Sequence, residues 1–189
     1  MVIDDDIVKV RIVEQDWTIV SHFAKTATIG GKSEIRTDPN ERSQNVSLDN
    51  LIGQLGTLAL SKYWTGSYKE YVLGRHMQDR FPNVGDCGED IMGLNLDVKT
   101  THRKNPNKAE LTYNLAIRDK EYHPNHVYVL ALVDSWPEGD RPKFVSLIGW
   151  AKTGHLPKNK TIGGIFDGAY TIEANDLNPL PPVKWAWLK

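Results

Sequence analysis

The sequence predicts an α/β domain with a mixed central β-sheet flanked by helices, and three stretches of the chain support this. From residue 47 to 63, apolar side chains recur every three or four residues, which is the spacing of one face of a helix. Residues 94–100 alternate apolar and polar side chains, as a strand with one buried face does. Residues 127–134 are almost wholly apolar, which is typical of a strand buried on both faces.

The other elements complete one compact domain. They are a helix at 16–26, a polar, turn-rich arm at 30–45, strands at 111–117 and 144–150, and an aromatic tail from Leu177 that packs back on the body. Residues 1–46 are thus expected to form an N-terminal helix and arm packed on a core made by residues 47–189. Gly53 and Gly56 lower the helix propensity of the main helix, and close approach of that helix to the sheet would explain them.

Length and composition exclude several classes of protein. The chain has 189 residues, the size of one domain, and no apolar run approaches the roughly 18 residues of a membrane span. The acidic N-terminus, MVIDDDIVKV, lacks the basic and apolar regions of a secretory signal, which predicts a cytoplasmic protein. A single cysteine, Cys87, excludes an internal disulfide framework. The net charge of −1 argues against a protein that coats nucleic acid by charge alone.

Three polar residues around the alternating strand have the chemistry of a site that cleaves phosphodiesters. Mg²⁺ prefers oxygen ligands and is held by a few carboxylates together with the substrate phosphate. Asp90 and Asp97 lie on either side of Gly93, and a hairpin there would bring their carboxylates together. Lys99 shares a strand face with Asp97, where its ammonium can orient water or stabilise charge on the phosphate. The alternative is a solvated strand face, because acid-x-Lys triplets also arise by chance.

The order of these segments resembles the core of the PD-(D/E)XK nuclease superfamily, which includes many restriction and repair endonucleases. The helix DNLIGQLGTLALSKYW precedes GDCGEDIMGLNLDVKT and then a basic loop and a strand, so the likeness spans about residues 47–135. The resemblance implies a restriction-endonuclease-like core in which Asp90 and Asp97 bind Mg²⁺, or Mn²⁺ in its place, and Lys99 assists the attacking water. It also implies a homodimer that cuts double-stranded DNA, one strand per subunit.

Two positions depart from the family pattern. Where the helix of family members often presents a Glu to the site, this chain has Gln54, an amide that can bind a ligand or a metal-bound water but supplies no charge. Glu89 stands where the family has a proline, and on a strand its side chain would point away from that of Asp90. Asp86 is a second candidate for the first acid, although the glycines around it favour a turn.

The segment after the triplet is basic. His102, Arg103, Lys104 and Lys108 are candidates for contacts with DNA phosphates, and solvated loop charges are the alternative. The histidines at 102, 123 and 126 do not have the paired spacing of a zinc site. Two further functions stay open at this point. One is a nuclease-fold protein that binds nucleic acid without cutting it, and the other is a ribonuclease.

Overall fold

A computed structural model describes residues 1–29, 46–80, 90–91, 95–105, 107–136, 140–158 and 169–183. The helices are α1 (Glu14–Ile29), α2 (Val46–Thr65) and α3 (Lys69–Arg80). The strands are β1 (Val8–Arg11), β2 (Leu96–Arg103), β3 (Asn114–Ile117), β4 (Val127–Asp134), β5 (Phe144–Lys152) and β6 (Tyr170–Glu173). Short 3₁₀ turns at Asp4–Asp6, Glu110–Thr112, Asp119–Glu121, Thr153–His155 and Ala174–Asp176 connect them.

Four of the strands form one mixed sheet in the order β1-β5-β4-β2. β2 and β4 are parallel, whereas β5 is antiparallel to both β4 and β1. β4 therefore lies inside the sheet, as its apolar sequence predicted. In the described part of the chain β2 is the last strand of the sheet, and Ile91 bridges Leu96 at its outer edge. β3 and β6 form a separate antiparallel pair. The predicted α/β architecture, with a mixed central sheet flanked by helices, is confirmed.

The two faces of the central sheet pack into different cores. On one face, Val98 of β2 packs into a cluster that includes side chains of α1 and α2. On the other face, Tyr128 and Leu130 of β4 pack with side chains of β3 and β6. Asp97 and Lys99 are the register partners of Tyr128 and Leu130. The acid and the lysine of the triplet therefore share the face that points away from the long helices.

The alternating strand begins later and ends later than its sequence predicts. Asn95 has a φ of 49°, a left-handed conformation that asparagine tolerates better than most residues, so the strand starts only at Leu96. It then continues to Arg103, which places the first residues of the predicted basic loop on β2. The predicted strand at 111–117 is shorter, because residues 110–112 form a 3₁₀ turn.

The N-terminal region and the tail both join the central sheet. β1, which the sequence did not predict because VKVR is too short to show a period, pairs with β5. Asn178 and Trp150 exchange backbone hydrogen bonds of 2.9 and 3.0 Å, so the tail packs on β5 as predicted. The arm at 30–45, Asp86, Glu89 and the tryptophans near the C-terminus lie outside the described residues. Within the described ranges, no helix combines the length and apolarity needed to cross a membrane.

Gly56 allows α2 to approach β2 closely. A Cβ at this position would lie 1.9 Å from Oγ1 and 3.0 Å from Cβ of Thr100, far inside van der Waals contact. At Gly53, in the same helix, a Cβ would meet no atom within 4 Å. The close approach predicted from the two glycines is therefore made at Gly56, and it fixes the distance between the helix and the strand that carries the triplet.

Replacement of Gly56 by Ala is expected to destabilise the fold by about 1–3 kcal/mol, the usual cost of overpacking. Gly53→Ala is the matched control, and it should stabilise the fold by roughly 0.5–1 kcal/mol because Ala favours a helix over Gly. Urea-induced unfolding followed by circular dichroism measures both free energies. Equal effects of the two substitutions would contradict the close approach of α2 to β2.

Candidate active site

Asp97 and Lys99 form an ion pair on β2. The Lys99 Nζ lies 2.8 Å from Oδ2 of Asp97, and the side chains keep only 10% and 24% of their exposure for Asp97 and Lys99 respectively. The two-residue spacing puts both side chains on one face of the strand, as the sequence predicted. Both side chains are mostly buried, on the sheet face that also packs against β3 and β6. The pair therefore does not form a solvated strand face, which was the alternative interpretation.

Glu121 is a third member of this cluster, and sequence reasoning missed it. Its Oε2 lies 3.4 Å from Nζ of Lys99, so one ammonium contacts two carboxylates. Arg118 donates a hydrogen bond of 2.8 Å from Nε to Oε1 of Glu121. The Tyr128 hydroxyl donates to the backbone oxygen of Glu121 and fixes the turn over β4. No local motif marks Glu121, because only the path of the chain from β2 to β4 brings it to Lys99.

Asp90 is fixed against the outer edge of β2. Its backbone N–H donates to Leu96 O at 2.7 Å, and its Oδ2 accepts the N–H of Val98 at 2.7 Å. Its Oδ1 accepts hydrogen bonds of 3.1 Å from the Thr57 hydroxyl and from the Arg75 guanidinium. Ile91 forms an antiparallel bridge with Leu96, so Asp90 lies beside the start of the strand that carries Asp97.

The charges around Asp97 oppose its ionisation. Burial raises the pKa of Asp97 to about 7, and although Lys99 opposes this, the negative charges of Asp90 and Glu121 add to it. Burial acts in the same direction on Glu121, but Lys99 and Arg118 outweigh it and hold the pKa of Glu121 below its ordinary value. Burial would lower the pKa of Lys99, but Asp97 and Glu121 outweigh it and raise that pKa. The positive charge of Lys99 thus faces one carboxylate whose ionisation burial opposes, Asp97, and one whose ionisation is favoured, Glu121.

The donor chemistry of this site fits a divalent cation. A buried carboxylate whose ionisation is opposed by two neighbouring carboxylates gains most from a positive charge beside it. Mg²⁺ takes oxygen ligands and is commonly held by one or two carboxylates with waters and substrate phosphates. Among the described residues, no three His, Cys, Asp or Glu side chains already form a metal-binding group. Asp90 and Asp97 could supply the two carboxylates. In this structure Arg75 donates to one oxygen of Asp90.

Gln54 is linked to Asp90 through two other side chains. Its Oε1 accepts a hydrogen bond of 2.6 Å from the hydroxyl of Tyr71, whose ring lies 5.7 Å from the guanidinium carbon of Arg75. Arg75 in turn pairs with Asp90. The structure therefore connects Gln54 to the site through Tyr71 and Arg75, and does not place its amide against Asp97.

The four predicted phosphate-binding residues differ in what they contact. His102 lies on β2 with Nε2 at 3.0 Å from the Ser135 hydroxyl, and burial and the charge of Lys104 hold its pKa below the ordinary value. Arg103 forms an ion pair with Asp134 and donates to Lys108 O. Lys104 is exposed, and the ammonium of exposed Lys108 lies 4.4 Å from the centre of the Tyr113 ring. The two lysines present charge to solvent, whereas His102 and Arg103 make contacts within the protein.

Replacement of Asp97 by Asn is expected to stabilise the metal-free protein at pH 8 but not at pH 4. The folded chain retains the Asp97 proton up to about pH 7, whereas the unfolded chain releases it near 3.8. Between these values the folded state binds more protons, so the free energy of unfolding falls as pH rises. Asn carries no charge, so the free energy of unfolding of the variant at pH 8 should be higher than that of the natural protein by roughly 1–3 kcal/mol.

Thermal or urea unfolding in EDTA at both pH values measures this difference. Asp176→Asn is the control, because Asp176 is exposed and its carboxylate stays in water. A variant at Asp97 that is less stable than the natural protein at pH 8 would show that the Lys99 ion pair outweighs the cost of burial.

Comparisons of the chain with protein-family models, with curated proteins and with solved structures give no match. What the chain does is therefore inferred from its own residues and their arrangement.

Proposed function

We propose that this protein is a Mg²⁺-dependent nuclease that hydrolyses phosphodiester bonds of DNA, with Asp90, Asp97 and Lys99 as its central residues. The observation that carries the proposal is the Asp97–Lys99 ion pair on β2, with Asp90 held against the edge of the same strand. Metal-assisted phosphodiester hydrolysis uses carboxylates to hold the metal and a cation to stabilise charge on the phosphate, and these three residues supply such groups. The resemblance of DNLIGQLGTLALSKYW and GDCGEDIMGLNLDVKT to the PD-(D/E)XK superfamily supports the same chemistry.

Asp90 and Asp97 would hold the metal. When bound, Mg²⁺ or Mn²⁺ lowers the pKa of a coordinated water and polarises a phosphoryl oxygen. Thr57 and the Val98 N–H donate to the carboxylate of Asp90, and such hydrogen bonds orient a ligand for its task. Burial of Asp97 lowers the effective dielectric constant around its carboxylate and strengthens its attraction to a cation.

Lys99 acts on the substrate. Burial lowers the pKa of Lys99, but the negative charges of Asp97 and Glu121 raise it by more. The ammonium is therefore charged when the substrate arrives. A positioned ammonium stabilises the negative charge that develops on the phosphate as water attacks and a P–O bond breaks. Glu121 contacts the same nitrogen and restricts where it can point, which makes Glu121 a positioning residue.

The DNA partner is inferred from charge and from the family resemblance. The exposed Lys104 and Lys108 follow β2 directly and are suited to phosphate contacts, with His102 and Arg103 supporting the end of the strand. A homodimer, in which each subunit cuts one strand of a duplex, is the assembly that the resemblance implies.

One observation favours a second candidate, a protein that binds nucleic acid without cutting it. Arg75 already neutralises Asp90, and Gln54 adds no charge where family members often have a Glu. Such a protein needs no divalent metal, and its affinity for DNA falls steeply with salt. A ribonuclease is the third candidate, because the phosphodiester chemistry is similar.

Purified protein incubated with plasmid, short duplex, single-stranded DNA and RNA is expected to cut DNA with Mg²⁺ or Mn²⁺ and not with EDTA. Asp97→Asn and Lys99→Ala should each lower the rate by on the order of 100-fold or more, because each removes a charge that acts in the transition state. Circular dichroism checks that both variants remain folded. Metal-independent binding without cleavage would support the second candidate, and cleavage of RNA alone the third.

Glu121→Gln is expected to lower kcat about tenfold with little change in KM, because it loosens Lys99 without removing a group that contacts substrate. Glu121 also helps raise the pKa of Lys99, so the alkaline limb of the kcat profile should move to lower pH in this variant. The exposed Glu173 supplies the control, Glu173→Gln. An unchanged pH profile would argue that Glu121 is only structural.

A further inference from the structure

Residues 123–126, with the sequence HPNH, form a tight turn just before β4. The N–H of His126 donates to His123 O at 3.4 Å, and Asn125 has a φ of 65°. Proline at the second position and a positive φ at the third are typical of a type II turn, and asparagine tolerates that conformation. Because a turn brings its first and last residues together, HPNH places two imidazoles side by side.

The backbone of this turn is fixed by two hydroxyl groups. The Tyr128 hydroxyl accepts the N–H of His123 at 2.8 Å and donates to Glu121 O at 2.9 Å. Thr153 Oγ1 accepts the N–H of His126 at 3.0 Å and lies 2.8 Å from His123 O. The two histidines are therefore held in position before any ligand arrives, which lowers the entropy cost of binding one.

His126 has a buried ring nitrogen that accepts no hydrogen bond. The residue is 7% exposed, and no group in the described part of the chain hydrogen-bonds its Nε2. Its Nδ1 lies 3.3 Å from Pro124 O, and a carbonyl oxygen only accepts, so the proton is on Nδ1 and Nε2 presents a lone pair. An unsatisfied buried acceptor is costly. Histidines that bind metals commonly have this arrangement, in which one nitrogen donates to a carbonyl and the other contacts the ion.

The ring of His123 lies beside that of His126. The ring centres are 5.0 Å apart, and the planes are inclined by 39°. Two imidazoles on one tetrahedral ion, with metal–nitrogen distances of about 2.0–2.1 Å, have their centres roughly 5 Å apart. Pro124 and Asn125 at the tip of the turn are exposed and His123 is half-buried, so an ion can reach the pair from that side.

We propose that His123 and His126 bind a transition-metal ion such as Zn²⁺, at a site separate from the carboxylates of Asp90 and Asp97. Imidazole nitrogen suits Zn²⁺, Cu²⁺ and Ni²⁺, whereas Mg²⁺ prefers oxygen. Among the described residues no third His, Cys, Asp or Glu joins them in a metal-binding group, so water completes the coordination. The ion would stiffen the segment that carries Glu121. This inference goes beyond the proposed nuclease function and does not depend on it.

The first experiment titrates Zn²⁺ alone into the full chain carrying Asp97→Asn, because that substitution removes a carboxylate that could also bind Zn²⁺. Isothermal calorimetry should show one Zn²⁺ bound, and excess Mg²⁺ should not displace it. His123→Gln or His126→Gln, added to this chain, should weaken binding about tenfold or more, because even groups that only orient a metal ligand matter that much. His76→Gln, at an exposed histidine of α3, is the control and should change nothing.

The second experiment records nitrogen NMR spectra of the imidazole rings in the natural protein. Without metal, His126 should carry its proton on Nδ1, because that nitrogen donates to Pro124 O. Addition of Zn²⁺ should shift the Nε2 resonance of His126 and a ring resonance of His123. Because it needs no substitution, this measurement preserves the test if a variant fails to fold.

Three results would overturn the two-histidine site. The first is the absence of Zn²⁺ binding, and the second is Zn²⁺ binding that is weakened by neither substitution or by only one of them. The third is a proton on Nε2 of His126 in the metal-free protein, because the lone pair would then be lost. None of these results bears on cleavage of DNA, which the substitutions at Asp97 and Lys99 test separately.

Discussion

One carboxylate, that of Asp90, joins the three elements on which the site is built. Its oxygens accept hydrogen bonds from Thr57 of α2, Arg75 of α3 and the backbone of Val98 on β2, and its own N–H donates to Leu96. The free edge of a strand presents both N–H and C=O groups, and Asp90 satisfies one of each at the start of β2. Asp90 thereby links α2 and α3 to the strand that carries Asp97 and Lys99.

Burial alone does not distinguish the carboxylates that serve the site. Asp16, at the start of α1, is 1% exposed, against 7% for Asp97. Its Oδ2 accepts the N–H of Val13 at 2.9 Å and the ammonium of Lys62 at 2.5 Å, and Lys62 also donates to Arg11 O. Asp16 is a structural group that fastens α1 to α2. Asp97 differs because its neighbours include two further carboxylates, whose negative charges add to the cost of ionising it.

The parts of the fold that the sequence predicted are those with a local signal. Periodicity was sufficient for α2 and β4, and the two-residue spacing was sufficient to place Asp97 and Lys99 on one face. β1 gave no signal because four residues are too few to show a period. Glu121 and Arg75 could not be singled out, because each is marked only by an ion pair with a residue distant in the chain. In sequence, both look like ordinary charged surface residues.

The crossover from β2 to β4 has a consequence for how the chain folds. These strands are parallel neighbours, yet the segment between them, residues 104–126, includes β3 and the turn that carries Glu121. Pairing across such a connection is slow, because the entropy of closing the loop is lost before the contacts form. A nascent chain that has emerged only as far as Arg103 already contains Asp97 and Lys99, but not β4, the strand that pairs with theirs. A chain arrested before the sheet closes therefore carries Asp97 and Lys99 without Glu121 and β4 beside them.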